Sequence, residues 1–240
     1  MTDHIVTAFD AELKDLQRMI AEMGGLAEKM QSDAIDAISR QDKRLAQQIV
    51  ATDPRLDQLQ REVEEKAILT IARRQPMAVD LRDVIATIRI ANDLERVGDL
   101  VKNVAKRILA MEGQFPPQKL LAGLNHMSLM ALGQFKAVID AYTQRDAQAA
   151  LAVWEHDGDI DNLYNSLFRE LLTYMMEDPR NIGFCTHLLF SAKNIERIGD
   201  HATNIAETAH YMITGDMLAA ERPKADGSSG VDPNWGSNTN

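Results

Sequence analysis

An all-α fold, a tandem repeat of two three-helix bundles with six main helices, is predicted by three features of this 240-residue chain. Ala, Leu, Ile, Met, Gln, Glu and Arg fill its long segments, and these are helix-forming residues. Glycine (13) and proline (7) are sparse and aromatic residues are only 5%, which is not the composition of a sheet protein. Apolar residues recur at spacings of three and four, the helical period, and the pattern of segments occurs twice.

The elements follow in order. Phe9, Leu13, Leu16, Ile20, Met23, Leu26, Met30, Ile35 and Ile38 trace one face of a long first helix. A second helix is expected over 42–74, with a cap or kink at "TDPRLDQL", because Pro54 has no backbone N–H to donate inside a helix. A turn at "RRQPMAVDLR" leads into a third helix over 78–111. "EGQFPPQ" then closes the first half with Gly113 and the Pro116–Pro117 pair. The second half repeats the plan with helices over 119–143, 146–176 and 184–213, the last two separated at "EDPRNIG". The expected organisation is a first bundle over residues 1–115, a second over 116–220, and a polar tail over 221–240. That tail is Gly, Ser, Asn and Pro rich around one Trp235, so it buries too little to offset its ordering entropy and is expected to be disordered.

A formal charge of −10 opposes broad contact with nucleic acid or an anionic bilayer and favours cations or basic partners. No apolar run approaches the roughly 20 residues of a membrane span. The N-terminus "MTDHIVTAFDAEL" lacks the basic-then-apolar order of a signal peptide, so a cytoplasmic protein is expected. The single cysteine, Cys185 in "IGFCTHLLF", excludes an intramolecular disulfide and reads as a small core residue.

The repeat is most explicit in "NDLERVGDLVKN" and "KNIERIGDHATN". Glu95 and Glu196, Gly98 and Gly199, Asp99 and Asp200, and Asn103 and Asn204 are each 101 residues apart; Asp53 and Asp157, and Asp57 and Asp161, are each 104 apart. Within each pair of carboxylates the spacing is four, which puts both on one helix face with roughly 5–6 Å between Cβ atoms. An acidic pair at this spacing is ordinarily a solvated face. Tight turns near Pro76 and Pro179 would, however, fold each second helix back along the third. Asp53/Asp57 would then converge on Glu95/Asp99, and Asp157/Asp161 on Glu196/Asp200. Four carboxylates so close repel one another unless a cation sits between them, and an all-oxygen set suits Mg²⁺, Mn²⁺, Ca²⁺ or iron better than a closed zinc site. His156 and His201 adjoin the second set as neighbours. Asp53, before Pro54, also reads as a helix N-cap. Gly98 and Gly199 each cost their helix about 1 kcal/mol relative to Ala, which points to close approach of a neighbouring helix or of a hydrated ion. Arg96 and Arg197 read as partners that orient the glutamates, and Asn103 and Asn204 extend the polar stripe.

"DLERVGDLVKN" and "NIERIGDHATNIAE", preceded by "QPMAVDLRDV" and set in a duplicated three-helix layout, resemble the PhoU family of regulators of bacterial phosphate uptake, over about residues 5–215. The resemblance implies two similar three-helix bundles and metal ions (Mg, Mn, Fe or Zn) at Glu95, Asp99, Glu196 and Asp200, with Asp53, Asp57, Asp157 and Asp161 completing the sets. It further implies a homodimer and a negative regulator that links the ATPase subunit of a phosphate ABC transporter to a phosphate-sensing histidine kinase. The enzymatic alternative, a metal-dependent phosphohydrolase or di-iron oxidase, finds Glu-x-x-His only once, at Glu207–His210, where a di-iron bundle core uses two, and finds no Gly-rich phosphate loop or nucleophile beside a base. A regulator, not an enzyme, is expected.

Overall fold

The computed structural model describes residues 2–111 and 116–218, and among them every regular element is helical. In order these are α1 (Thr2–Arg40), α2 (Lys43–Arg74), α3 (Val79–Ala110), α4 (Gln118–Gln144), α5 (Ala147–Glu155), α6 (Asp157–Glu177) and α7 (Ile182–Thr214). A single 3₁₀ turn, Pro179–Asn181, precedes α7. The polar tail of the sequence reading lies outside the described residues.

Local chemistry sets the boundaries, and it sets them alike in both halves. Asp42 and Asp146, 104 residues apart, cap α2 and α5 by accepting from the backbone N–H groups of Leu45 and of Gln148 and Ala149. The residue before each cap, Gln41 or Arg145, turns the chain with a positive φ (50° and 53°). Asp178 accepts from the N–H of Arg180 and so starts the 3₁₀ turn.

Two boundaries differ from the sequence expectation. Pro54 lies inside an unbroken α2, so Asp53 is not an N-cap but a buried residue in mid-helix. Leu56 and Leu59, buried with α2 packed along α1 and α3, hold the helix through the missing hydrogen bond. The expected 146–176 helix is interrupted at His156, where Asp157 and Gly158, both weak helix formers, follow. At the break His156 O accepts from the Asp159 N–H at 3.2 Å and from Gln134 Nε2 at 2.8 Å.

The first half packs α1, α2 and α3 together; the second packs α4, the α5–α6 pair and α7. The halves share one continuous core because α3 lies on α7 and α1 lies on α4. Asp93 meets His201, and Arg107 covers Phe190, so α3 and α7 run antiparallel. Ile90, Leu94, Val97 and Val104 on α3 and Ile195, Ile198, Ala202 and Ile205 on α7 are all buried. Cys185 is fully buried, and burial pushes its thiol above the ordinary range, as expected of an inert core residue. No described helix is long and apolar enough to cross a membrane.

Candidate functional site

The turn between α2 and α3 brings the two acidic pairs of the first half together, as the sequence predicts. Gln60 Nε2 donates to Asn92 Oδ1 at 2.8 Å, and Lys102 on α3 donates to Asp53 on α2 at 2.6 Å, fixing the antiparallel register. Burial pushes the Glu95 carboxyl above its ordinary pKa; Arg96 opposes this, while Asp99, Asp57 and Asp53 push it further up. Asp53 is raised by burial too, against Lys102, with Asp57 and Asp99 adding repulsion. Four carboxylates therefore share one field.

A cation is already present among them. Lys102 Nζ bridges Asp53 Oδ2 at 2.6 Å and Asp99 Oδ1 at 2.5 Å. Burial works against its charge, but the hydrogen bonds to Asp53 and Asp99 outweigh burial and raise its pKa. Nothing in the duplicated pentad announces this lysine, although its position one turn after Asp99 is the signal that could have found it. Arg96 takes the orienting role expected of it, with Nε 3.4 Å from Glu95 Oε2 and Nη1 3.4 Å from Asp99 Oδ2. Asn103 is half-buried beside the cluster on α3.

The second half builds the same frame with different chemistry. The residue 101 positions after Lys102 is Thr203, and its hydroxyl donates to Asp157 Oδ1 at 2.7 Å. A neutral donor thus stands where the first half has an ammonium. Burial raises the pKa of Glu196; Lys193 opposes this from 2.6 Å, and Asp200 and Asp161 reinforce it. Lys193, not Arg197, holds Glu196, and Arg197 is exposed. His156 closes α5 with its Nδ1 2.7 Å from Ala152 O. His201 and Asn204 both reach across to Asp93 on α3, at 2.8 and 3.4 Å. They tie the two halves together, a role the sequence reading did not give them.

Gly98 and Gly199 are required by helix approach. A Cβ on Gly98 would run into Leu56 Cδ2 of α2, and one on Gly199 would lie 2.8 Å from Ile160 Cδ1 of α6. These contacts let α2 and α6 sit close enough for Asp53 and Asp157 to reach the acidic faces of α3 and α7.

The donor chemistry fits a bound cation. Asp53 Oδ1, Asp157 Oδ2 and Glu196 Oε2 are buried oxygens with no hydrogen-bond donor, which is costly for a carboxylate. The positions are less complete than the chemistry: among the described residues no three His, Cys, Asp or Glu side chains form a ready ligand set. In the first half the lysine ammonium fills the place between two of the carboxylates.

Comparison with known proteins bears on the same residues. The sequence matches the PhoU domain twice, over residues 20–108 and 124–209, each match spanning one acidic cluster. It is 59% identical over 226 residues to the phosphate-specific transport system accessory protein PhoU homolog of Rhizobium meliloti (strain 1021), covering 94% of this chain and 95% of that protein. The corresponding homolog of Caulobacter vibrioides (strain NA1000 / CB15N) is 52% identical, with 94% and 98% covered. Among solved structures, PhoU from Pseudomonas aeruginosa is similar with a TM-score of 0.83 at 38% identity, covering 87% of this chain and all of that one. The regulatory protein PhoU of the phosphate transport system of Streptococcus pneumoniae is similar with a TM-score of 0.81 at 29% identity, covering 88% and 99%.

Proposed function

Because this chain belongs to the PhoU family, we propose that it is an accessory protein of phosphate-specific transport which restrains phosphate uptake and phosphate-starvation signalling. The observation that carries this reading is 59% identity, spread over 94% of the chain, to a phosphate-specific transport system accessory protein. It works in the cytoplasm as a regulator, not an enzyme, and contacts the ATPase subunit of a phosphate ABC transporter and a phosphate-sensing histidine kinase. The helical hairpins of the two halves supply surface for such contacts. Met77 beside the α2–α3 turn and Met176 at the end of α6 are 80% and 85% exposed, with Val79 and Ile182 also outside the core. One of these apolar tips pairs two copies into a homodimer.

The acidic clusters would hold divalent or transition metal ions, Mg, Mn, Fe or Zn. In the first half Asp53, Asp57, Glu95 and Asp99 would do so once Lys102 swings aside, and in the second Asp157, Asp161, Glu196 and Asp200. The ion would supply charge compensation and would fix the α2–α3 and α6–α7 hairpins. Thr203 replaces the ammonium beside Asp157 while Lys193 supplies one to Glu196, so each cluster already holds one lysine and both are expected to load.

Cells lacking their own copy, complemented with wild type or with Glu95, Asp99, Glu196 and Asp200 all replaced by Ala, test the reading through phosphate uptake and a phosphate-regulon reporter. Wild type is expected to repress the reporter in high phosphate, and the variant to lose repression together with its bound metal while remaining helical by circular dichroism. Failure of wild type to repress would remove the regulatory role. Repression by a metal-free variant would remove the clusters from it.

A further inference from the structure

The start of α3 and the end of α7 enclose a groove of about 250 Å³ lined by Leu81, Arg82, Ile85, Arg89, Thr208 and Tyr211. The groove is separate from the acidic clusters and opposite in chemistry. Arg82 lies with its guanidinium carbon 5.6 Å from the centre of the Tyr211 ring, and its Nε is buried with no acceptor. The acid next to it in sequence does not neutralise it, because Asp83 accepts instead from both terminal nitrogens of Arg145, at 2.8 and 3.2 Å. Arg89 follows two turns later on the same face of α3. Among the described residues neither Arg82 nor Arg89 forms an ion pair with a carboxylate. Thr208 and Tyr211, one turn apart on α7, add two hydroxyls. Ala78 also lines the groove at the start of α3, where Asp80 in the first turn and the end of α7 offset the helix dipole, so the positive charge of the groove comes from its two arginines.

In a chain of net charge −10, two guanidiniums without carboxylate partners and two hydroxyls in one concavity are an arrangement for an anion. The planar fork of arginine matches the paired oxygens of a tetrahedral oxyanion, and it stays charged at every physiological pH. Leu81 and Ile85 give the groove an apolar wall that a bare ion does not use. We propose that this groove binds a phosphate-type oxyanion, either inorganic phosphate or the phosphate end of a monoester whose apolar body lies on Leu81 and Ile85. The proposal rests on the groove alone and stands whether or not the chain regulates transport.

Isothermal titration of the full-length chain with inorganic phosphate and, separately, with phenyl phosphate tests it, in chelator so that no metal can carry the anion. One saturable site of about millimolar affinity or tighter is expected. Arg89→Gln changes an exposed side chain and leaves the fold intact, and it should weaken binding about tenfold, the loss of one charge-assisted contact. Arg82→Gln should weaken it further, while Glu95→Gln leaves it unchanged. Preference for phenyl phosphate assigns the monoester, and equal or better binding of inorganic phosphate assigns the free ion. No saturable heat from either probe at about 10 mM, or binding that survives Arg89→Gln and Thr208→Val, means an adventitious ion only and overturns the proposal. These two variants decide the outcome even if Arg82→Gln unfolds.

Discussion

Glu196 keeps one oxygen against Lys193 and leaves the other, Oε2, buried without a donor, and this divided state sets how the protein responds to acid. Its carboxyl, like those of Asp53 and Glu95, binds a proton more tightly in the folded chain than in the unfolded one, with burial as the main cause. The folded state therefore takes up protons first as pH falls from neutrality, and stability rises through the window between the raised pKa values and the ordinary carboxylate range of about 4. Glu12 and Asp178 act in the opposite sense. Their hydrogen bonds to Arg74 and Arg180 depress their pKa values, so the stability they contribute is present above the ordinary carboxylate range and lost below it. In chelator, the thermal midpoint is expected to rise as pH falls from neutrality towards about 4 and to fall below that. Glu196→Gln should lift the midpoint at pH 7.5 by about 2–4 °C and flatten that rise. A scanning calorimetry series in which wild type loses stability steadily from pH 7.5 downward would contradict the assignment.

At the scale of the helix, glycine serves two different ends in this chain. Gly98 and Gly199 are buried where α2 and α6 press on α3 and α7, whereas Gly25 and Gly133 are exposed with nothing within 4 Å of an added Cβ. Helix propensity alone favours Ala at all four by about 1 kcal/mol. At Gly98 that gain is opposed by displacing Leu56, which is fully buried in a close-packed core, at a cost of about 1–3 kcal/mol. Gly25→Ala and Gly133→Ala should therefore each stabilise by up to about 1 kcal/mol, and Gly98→Ala should destabilise by about 1 kcal/mol net. Urea denaturation of the three variants checks this. Stabilisation by Gly98→Ala would show that α2 has room to retreat and that the close approach does not define the cluster.

For the whole molecule, the duplicated halves are not two independent bodies. The buried faces of α3 and α7 cover one another, α1 covers α4, and Asp93 receives both His201 and Asn204 from the other half. Cutting between them would uncover Val101, Val104, Ile195 and Ile198, all of which line or border the seam. Each buried aliphatic side chain of this kind contributes about 1.5–3 kcal/mol, comparable in sum to the whole stability of a domain. Residues 1–115 and 116–220 produced separately are expected to be partly helical, without a cooperative thermal transition, and to associate when mixed. Circular dichroism and size-exclusion chromatography would show this, and two halves that each melt sharply alone would refute a shared core.

Sequence by itself determined the helices, the duplication and the identity of the carboxylates, because helical periodicity and the Glu-Arg-x-Gly-Asp repeat are local patterns that need no partner to be read. It also placed Asp53/Asp57 against Glu95/Asp99, since a tight turn between two helices leaves little freedom of register. Only the tertiary structure decided that Pro54 sits within an unbroken helix and that His156 interrupts another, because packing on neighbouring helices outweighs the propensity of one residue. It alone showed Lys102 between Asp53 and Asp99 where the second half has Thr203, His201 turned toward Asp93, and Arg82 and Arg89 in one groove with Tyr211. Their contacts from one helix to another join residues 46 to 129 positions apart. Their partners are chosen by how α3 lies against α2 and α7, and that geometry is the sum of many apolar contacts, none of which is legible at the residues it brings together.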